Sequence, residues 1–290
     1  MSAKFILATD SGCDLSYGYC REKDIYTVHM KYLCGDTAFT DNMIDAETRE
    51  FYNKMRNGTV FKTSQINYDE YTTFFEGLIE KNLPIIYIAL GSKVSGSYDN
   101  AAKAASDINE KYPNAKVYAC DSTLASLGIG MFVLQITEMR DRGMSAEECV
   151  KWIEINRTKV NTFYTTNTLT YLTRGGRISK MSAFFGGILN INPIMKLDTE
   201  GHMLVCDKAI GKKNAIKKII GNMLKIVENP EQQTVYISHA DALEKAQELG
   251  EELKAKIGFK DVFYSYIGTI VGTHTGPGLR AIFFLGKDRT

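Results

Sequence analysis

Apolar residues along this chain gather in two recurring forms: short unbroken runs, and faces that repeat every three to four positions. Phe5 to Ala8, Ile85 to Leu90 and Lys116 to Cys120 are runs of the first kind, the signature of strands covered on both faces. Between and after them the spacing predicts helices near Glu47 to Arg56, Asn67 to Lys81, Tyr98 to Lys111 and Leu124 to Arg142. Asn67 with Glu70, and Ser145 with Glu148, have the spacing of a capping box and mark two helix starts. Strand followed by helix, repeated, predicts a parallel sheet with helices on its faces. The helix from Ser145 to about Arg157 reads as the link to a second unit.

From about Asn161 the texture changes. A strand over Phe163 to Thr166 and a short turn over Leu169 to Leu172 precede Arg174-Gly-Gly-Arg-Ile-Ser179. An apolar helix with Phe184, Phe185, Ile188 and Leu189 follows, then Asn192-Pro193-Ile194, and Thr199-Glu200-Gly201 has the character of a hairpin turn. Two amphipathic helices come next, one with Ile216, Ile219, Ile220 and Met223 on a face and one with Ala242, Ala246, Leu249 and Leu253. Strands at Val235 to Ser238, Val262 to Tyr266 and Ala281 to Leu285 complete an α+β unit. The expected class is α/β, with an N-terminal domain over 1–158 and a C-terminal domain over 159–290.

At 290 residues the chain has material for two cores. Its 35 Lys and Arg nearly balance 34 Asp and Glu, and no basic run is interleaved with aromatics, so nucleic acid is not an expected partner. No apolar stretch approaches the ~20 residues that span a bilayer, which predicts a cytoplasmic protein with no stable membrane insertion. Six cysteines lie scattered without a C-x-x-C pair and four histidines are far apart, so free thiols and no metal are expected.

Chemistry-bearing residues sit in five polar loops: Thr9-Asp10-Ser11-Gly12, Thr63-Ser64-Gln65, Gly91 to Tyr98, Asp121-Ser122-Thr123 and Gly272 to Gly278. The carboxyl ends of parallel strands share one edge, so the first four loops can converge into a cluster of hydroxyls. Ser95, Gly96 and Ser97 stand between a strand and a helix start, a place that suits an anion or simply a cap. Asp10 and Asp121 each follow a strand and precede Ser, which suits a helix cap better than a rim carboxylate. His274 is the one titratable side chain in its glycine-rich loop, either a hydrogen-bonded connector or a functional group. Arg177 beside Gly175 and Gly176 either holds an anion or pairs with a surface carboxylate.

Several chemistries are missing their motifs. Asp10-Ser11-Gly12 has no second copy for an aspartic protease, and G-x-S-x-G and G-x-x-x-x-G-K-[ST] do not occur. The glycines near Gly96 are too few for a dinucleotide fingerprint. No cofactor is expected.

Taken together and in order, Thr9-Asp10-Ser11, Thr63-Ser64-Gln65, Val94-Ser95-Gly96-Ser97-Tyr98, Asp121-Ser122, Leu172-x-x-Gly175-Gly176-Arg177-Ile178, Asn192-Pro193-Ile194 and His274-Thr275-Gly276-Pro277-Gly278 resemble the DegV family of bacterial fatty-acid-binding proteins. The resemblance covers the whole chain. It implies a two-domain fold with a long-chain fatty acid, such as palmitate, between the domains. It places the carboxylate on the hydroxyls of Thr63 and Ser95, with Ser64, Gly96, Arg177, His274 and Thr275 around the head group. It further implies that the protein is not itself an enzyme but presents its lipid for transport or to a separate ATP-dependent fatty acid kinase. Ile66-Asn67 stands where the family usually has Pro after T-S-Q, Ser97 where Thr is usual, and Cys13 where a small residue is typical. Phe184, Phe185, Ile188, Leu189 and Ile191 are candidates for the wall around the tail. The alternatives are a hydrolase or phosphotransferase using Ser95 and His274, and a lipid-sensing regulatory module.

Overall fold

The computed structural model describes residues 4–166, 168–177 and 191–290. The expected parallel sheet is present: β1 (Ile6–Asp10) pairs in parallel with β2 (Ile25–Val28) and with β6 (Ile85–Ala89), and β6 with β7 (Val117–Asp121). Every residue of β1 and β6 is buried, as their unbroken apolar runs require. Register puts Thr9 beside Ile88 and Ala89 beside Asp121, so the loops leaving these strands emerge along one edge.

Helices α1 (Tyr17–Glu22), α2 (Asp45–Arg56), α3 (Tyr68–Ile79), α4 (Ser97–Lys111), α5 (Leu127–Asp141) and α6 (Ala146–Asn156) follow in this half. Both capping boxes form: Asn67 opens α3 with Glu70, and Ser145 opens α6 with Glu148. α5 is apolar on every side because it is shared. It packs against β1 and β6 and also against strands of a second, six-stranded sheet. Two glycines bring the neighbours close: a Cβ on Gly128 would lie 3.1 Å from the Phe283 ring, and one on Gly130 would lie 3.0 Å from the Cys13 carbonyl oxygen.

That second sheet draws all its strands from the chain after residue 159. In the order β10-β9-β8-β13-β11-β12 it joins β8 (Val160–Thr165), β9 (Ile191–Leu197), β10 (Met203–Ile210), β11 (Thr234–His239), β12 (Asp261–Tyr266) and β13 (Arg280–Leu285). β9 and β10 form the expected antiparallel hairpin around Asp198 to His202, and β11 and β12 run parallel. α8 (Lys212–Met223) and α9 (Leu243–Ile257) cover a core built on Ile219, Met223, Leu249 and Leu253. The expected helix around Phe184 to Leu189 lies outside the described residues.

Three expectations need correction. The segment holding Thr63 and Ser64 is not a loop: it is β5 (Phe61–Ser64), an edge of a three-stranded antiparallel sheet with β3 (Lys31–Cys34) and β4 (Thr37–Thr40). These strands are four residues long and largely exposed, so they carry too little apolar periodicity to read. The Leu169 to Leu172 turn is one turn of helix, α7 (Thr170–Arg174). Finally, Gly272 to Gly278 is only partly a loop, because His274 and Thr275 end helix α10 (Thr269–Thr275). The sequence Thr-Ile-Val-Gly-Thr-His-Thr is poor in helix formers, and tertiary packing overrides that. The bare Gly272 admits the Tyr52 hydroxyl 2.5 Å from where a Cβ would stand, and that hydroxyl donates to the Ile267 carbonyl at 2.8 Å.

Candidate functional site

Beneath the strand edge lies a buried carboxylate. Asp10 accepts hydrogen bonds from Leu90 N–H at 2.8 Å, the Tyr87 hydroxyl at 3.0 Å and Gly12 N–H at 3.0 Å. Burial pushes its carboxyl up to about 6, and these three donors resist the rise. The Tyr71 hydroxyl stands 2.7 Å from that of Tyr87. Asp10 is therefore a cap, as its position suggests, but a fully buried one that anchors a line of hydroxyls leading toward the sheet edge. Asp121 does not cap a helix as expected: it ends β7 and ties two loops, accepting from Thr123 N–H at 2.9 Å, Ser92 N–H at 3.1 Å and the Ser92 hydroxyl at 2.6 Å, while Ser126 is the N-cap of α5.

Above this foundation Thr63 and Ser64 from β5, Ser95 from the β6–α4 loop, Arg177 after α7, and His274 and Thr275 from α10 line one cavity. Its free volume is about 40 Å³, space for water or a carboxylate-sized group. Leu90, Val94, Met203 and Ile270 supply apolar wall. Gly96 does not line the cavity. A Cβ there would stand 2.5 Å from Gln65 Oε1, so its bareness lets Gln65 reach the wall.

The hydroxyls facing this cavity have their oxygens engaged. Thr63 Oγ1 lies 2.8 Å from His274 Nε2. Burial, reinforced by the positive charge of Arg177, lowers the imidazole to about 4, so the ring is neutral at pH 7. Nδ1 is buried without a partner. Of the two neutral tautomers, the one protonated at Nε2 leaves only an acceptor unpaired and directs the ring N–H onto Thr63 Oγ1. The Thr63 proton is then free for a ligand. On the opposite wall Ser95 Oγ accepts Ser97 N–H at 3.2 Å and lies 3.0 Å from Ser97 Oγ, which itself accepts Ile66 N–H at 3.2 Å. Either hydroxyl of this pair can be the donor, and with Ser97 donating the Ser95 proton can turn into the cavity. Two hydroxyls poised to donate, a neutral imidazole and a guanidinium suit a single anionic head group.

Arg177 is held by backbone: Nη1 donates to the Gly175 carbonyl at 2.6 Å and Nε to the Val94 carbonyl at 3.3 Å. Burial lowers its pKa. Thr275 spends its hydroxyl on the Val271 carbonyl at 3.1 Å, so it contributes surface more than a donor. Ser95 and His274 are not hydrogen-bonded to each other; each is taken by a different hydroxyl. The nucleophile–base contact of a Ser–His hydrolase is thus not formed.

Sequence reasoning missed Gly175 and Gln65. A Cβ on Gly175 would stand 2.2 Å from His274 Nδ1, so the glycine pair before Arg177 serves the imidazole as much as the arginine. Its signal was the Gly-Gly itself, which marks close approach without naming the partner.

The model of the family described as "Uncharacterised protein, DegV family" matches residues 4–287. The chain belongs to the DegV family. A DegV domain-containing protein of Clostridium perfringens is 36% identical over 99% of both chains. Among solved structures, that of DegV from Bacillus subtilis, titled a fatty acid binding protein, has a TM-score of 0.84 at 26% identity and covers 99% of this chain and 100% of its own. A DegV lipid binding protein from Thermotoga maritima has a TM-score of 0.84 at 25% identity over 99% of this chain and 100% of its own. The parallel sheet flanked by helices and the six-stranded sheet domain match DegV structures. Among the described residues no helix is long and apolar enough to cross a membrane.

Proposed function

We propose that this DegV protein binds a long-chain fatty acid between two domains, 1–158 and 159–290, with the carboxylate on Thr63 and Ser95. The observation that carries this reading is the donor arrangement: Thr63 Oγ1 meets His274 Nε2 at 2.8 Å and Ser95 Oγ meets Ser97 N–H at 3.2 Å and Ser97 Oγ at 3.0 Å, so that with Nε2 protonated and Ser97 donating, both hydroxyl protons serve an acceptor in the cavity they share with Arg177. The fatty acids bound by DegV relatives of this fold support the class of ligand. Each methylene buried contributes roughly 0.8 kcal/mol, so a tail of about fifteen yields on the order of 12 kcal/mol gross, before association costs. The tail dominates affinity, and the hydroxyls determine which end faces Arg177.

The test is mass spectrometry of the organic extract of freshly purified protein. A C14 to C18 fatty acid in near one-to-one amount is expected; a lipid-free extract together with no uptake of added palmitate overturns the reading.

The bound acid then serves transport or, in our reading, a separate ATP-dependent fatty acid kinase in the cytoplasm. The sequence has groups for a carboxylate and no cradle for triphosphate and magnesium. With the cognate kinase supplied, His274→Ala and Arg177→Ala are expected to reduce acyl-phosphate formation more than palmitate affinity, because attack on phosphorus requires the carboxylate oxygen held in line. Loss of both in strict proportion, or turnover by the chain alone, would defeat this part.

A further inference from the structure

The turn after α10 divides two surfaces. His274 and Thr275 line the head-group cavity, whereas Pro277 and Gly278 line an open groove of about 600 Å³. The groove walls carry Arg49, Arg56, Lys212, Lys245 and Arg280 against only two carboxylates, Asp241 and Glu244. Arg56 occupies Asp241 through an ion pair of 2.6 Å, and Arg49 donates to the Tyr266 hydroxyl at 3.2 Å.

Lys212 at the start of α8, Lys245 on α9 and Arg280 at the start of β13 remain, and among the described residues none of them is in an ion pair. Three separate elements bring them to one groove. Arg280 is half-buried: Nη1 reaches the Lys245 carbonyl at 3.4 Å, Nε is buried without a partner, and the carboxylate acting on it, Glu248, does so only at longer range. Burial and the charges of Lys245 and Arg280 hold the Lys212 ammonium below its usual range. Like charges gathered at one groove, with Arg280 half-buried among them, raise the energy of the empty groove, and an oxyanion relieves that.

We propose that this groove binds the phosphate group of a small phosphorylated molecule through Lys212, Lys245 and Arg280. A phosphate carries about two negative charges near neutral pH and presents three terminal oxygens in different directions. That matches three cations arriving from three elements. A carboxylate offers one charge and two oxygens in a plane, and leaves part of the repulsion in place. The proposal is independent of what fills the neighbouring cavity.

The experiment is calorimetric titration of the full chain with inorganic phosphate and with glycerol 3-phosphate, using acetate as comparator. Saturable one-to-one binding of both phosphates is expected, with acetate at least tenfold weaker. Arg280→Gln should weaken binding tenfold or more, and Lys212→Gln and Lys245→Gln, which change exposed side chains, fivefold or more. Lys225→Gln, whose ammonium bonds Asn222 away from the groove, should change nothing. If Arg280→Gln lowers the melting temperature, the two lysine variants decide. Absence of saturation, acetate bound as tightly as phosphate, wild-type affinity in the lysine variants, or binding of heparin without binding of either small phosphate would each overturn the proposal.

Discussion

The two ends of α10 make opposite use of polar groups. At its start the chain is tied down through Asp14: Gly268 N–H donates to Asp14 Oδ1 at 2.9 Å, Ser126 donates to the other carboxylate oxygen, and the Ser265 hydroxyl donates to the Asp14 carbonyl. At its end polar groups are left over: His274 Nδ1 is an acceptor without a partner, and with the imidazole proton on Nε2 the Thr63 hydroxyl has its own proton to give. The satisfied end holds the helix, and the unsatisfied end is available to a ligand. Stability and binding should therefore respond to different residues.

The largest separation is expected from the double variant Thr63→Val/Ser95→Ala. Each hydroxyl lost to a buried carboxylate costs about 1.5 to 3 kcal/mol, so palmitate affinity should fall on the order of a hundredfold or more while the melting temperature stays near wild type. Palmitate methyl ester should scarcely distinguish the two proteins. Equal palmitate affinities would place the head group elsewhere.

Asp14→Ala should do the reverse. It strands the Gly268 N–H, at about 1 to 3 kcal/mol, and leaves the Ser126 hydroxyl with the Ser238 hydroxyl at 3.0 Å, so denaturant unfolding should show the loss. A midpoint unchanged within error would mean that α10 is held by other contacts.

Asp41 lies near the same end and supplies a pH test. Its Oδ2 is buried without a partner, while Oδ1 accepts Met43 N–H at 3.3 Å. Burial pushes the carboxyl up from 3.8 to about 6. Between those values the native state holds a proton that the unfolded chain has released, so this stabilisation is full below about 4 and is lost as pH rises through about 6. Asp41→Asn removes the titration and should raise stability at pH 7 by up to about 3 kcal/mol, with little effect at pH 4. A gain that is equal at both pH values, or larger at pH 4, would refute the assignment.

The smallest effect expected tests the packing at the ligand end. Gly175→Ala drives a methyl toward His274 Nδ1, where only 2.2 Å is open. The ring must turn, and its contact with Thr63 loosens. Palmitate affinity should drop severalfold, and nuclear magnetic resonance should show the His274 pKa rising from about 4 as the ring gains water. An unchanged titration would show that the imidazole had not moved.

The parallel sheet was legible because β1 and β6 are buried on both faces and therefore continuously apolar, and the starts of α3 and α6 because their capping boxes are local. The β3–β5 sheet and α10 were not. The first is short and half-solvated, and the second is a helix made by Tyr52 and Asp14 rather than by its own residues. The candidate head-group residues came from the ordered resemblance, since Thr63, Ser95, Arg177 and His274 are each unremarkable in isolation. Which oxygen is already satisfied is a three-dimensional matter. Nothing local to Ser97 announces that its N–H will fix Ser95, nor anything local to Gly175 that it makes room for an imidazole.

The placement of β13 bears on how the chain is made. It follows every other described strand in the sequence, yet it lies between β8 and β11 in the middle of its sheet and packs on α5. At roughly 5 to 20 residues per second, the ribosome releases β13 on the order of ten seconds after β7. Until then the parallel sheet can close, but one side of α5, with Gly128 waiting for Phe283, stays bare and the second sheet lacks its centre. Arg289 then fastens the seam through the Val160 carbonyl and the Thr123 hydroxyl. A nascent chain stalled before Arg280 would display this apolar helix face to chaperones.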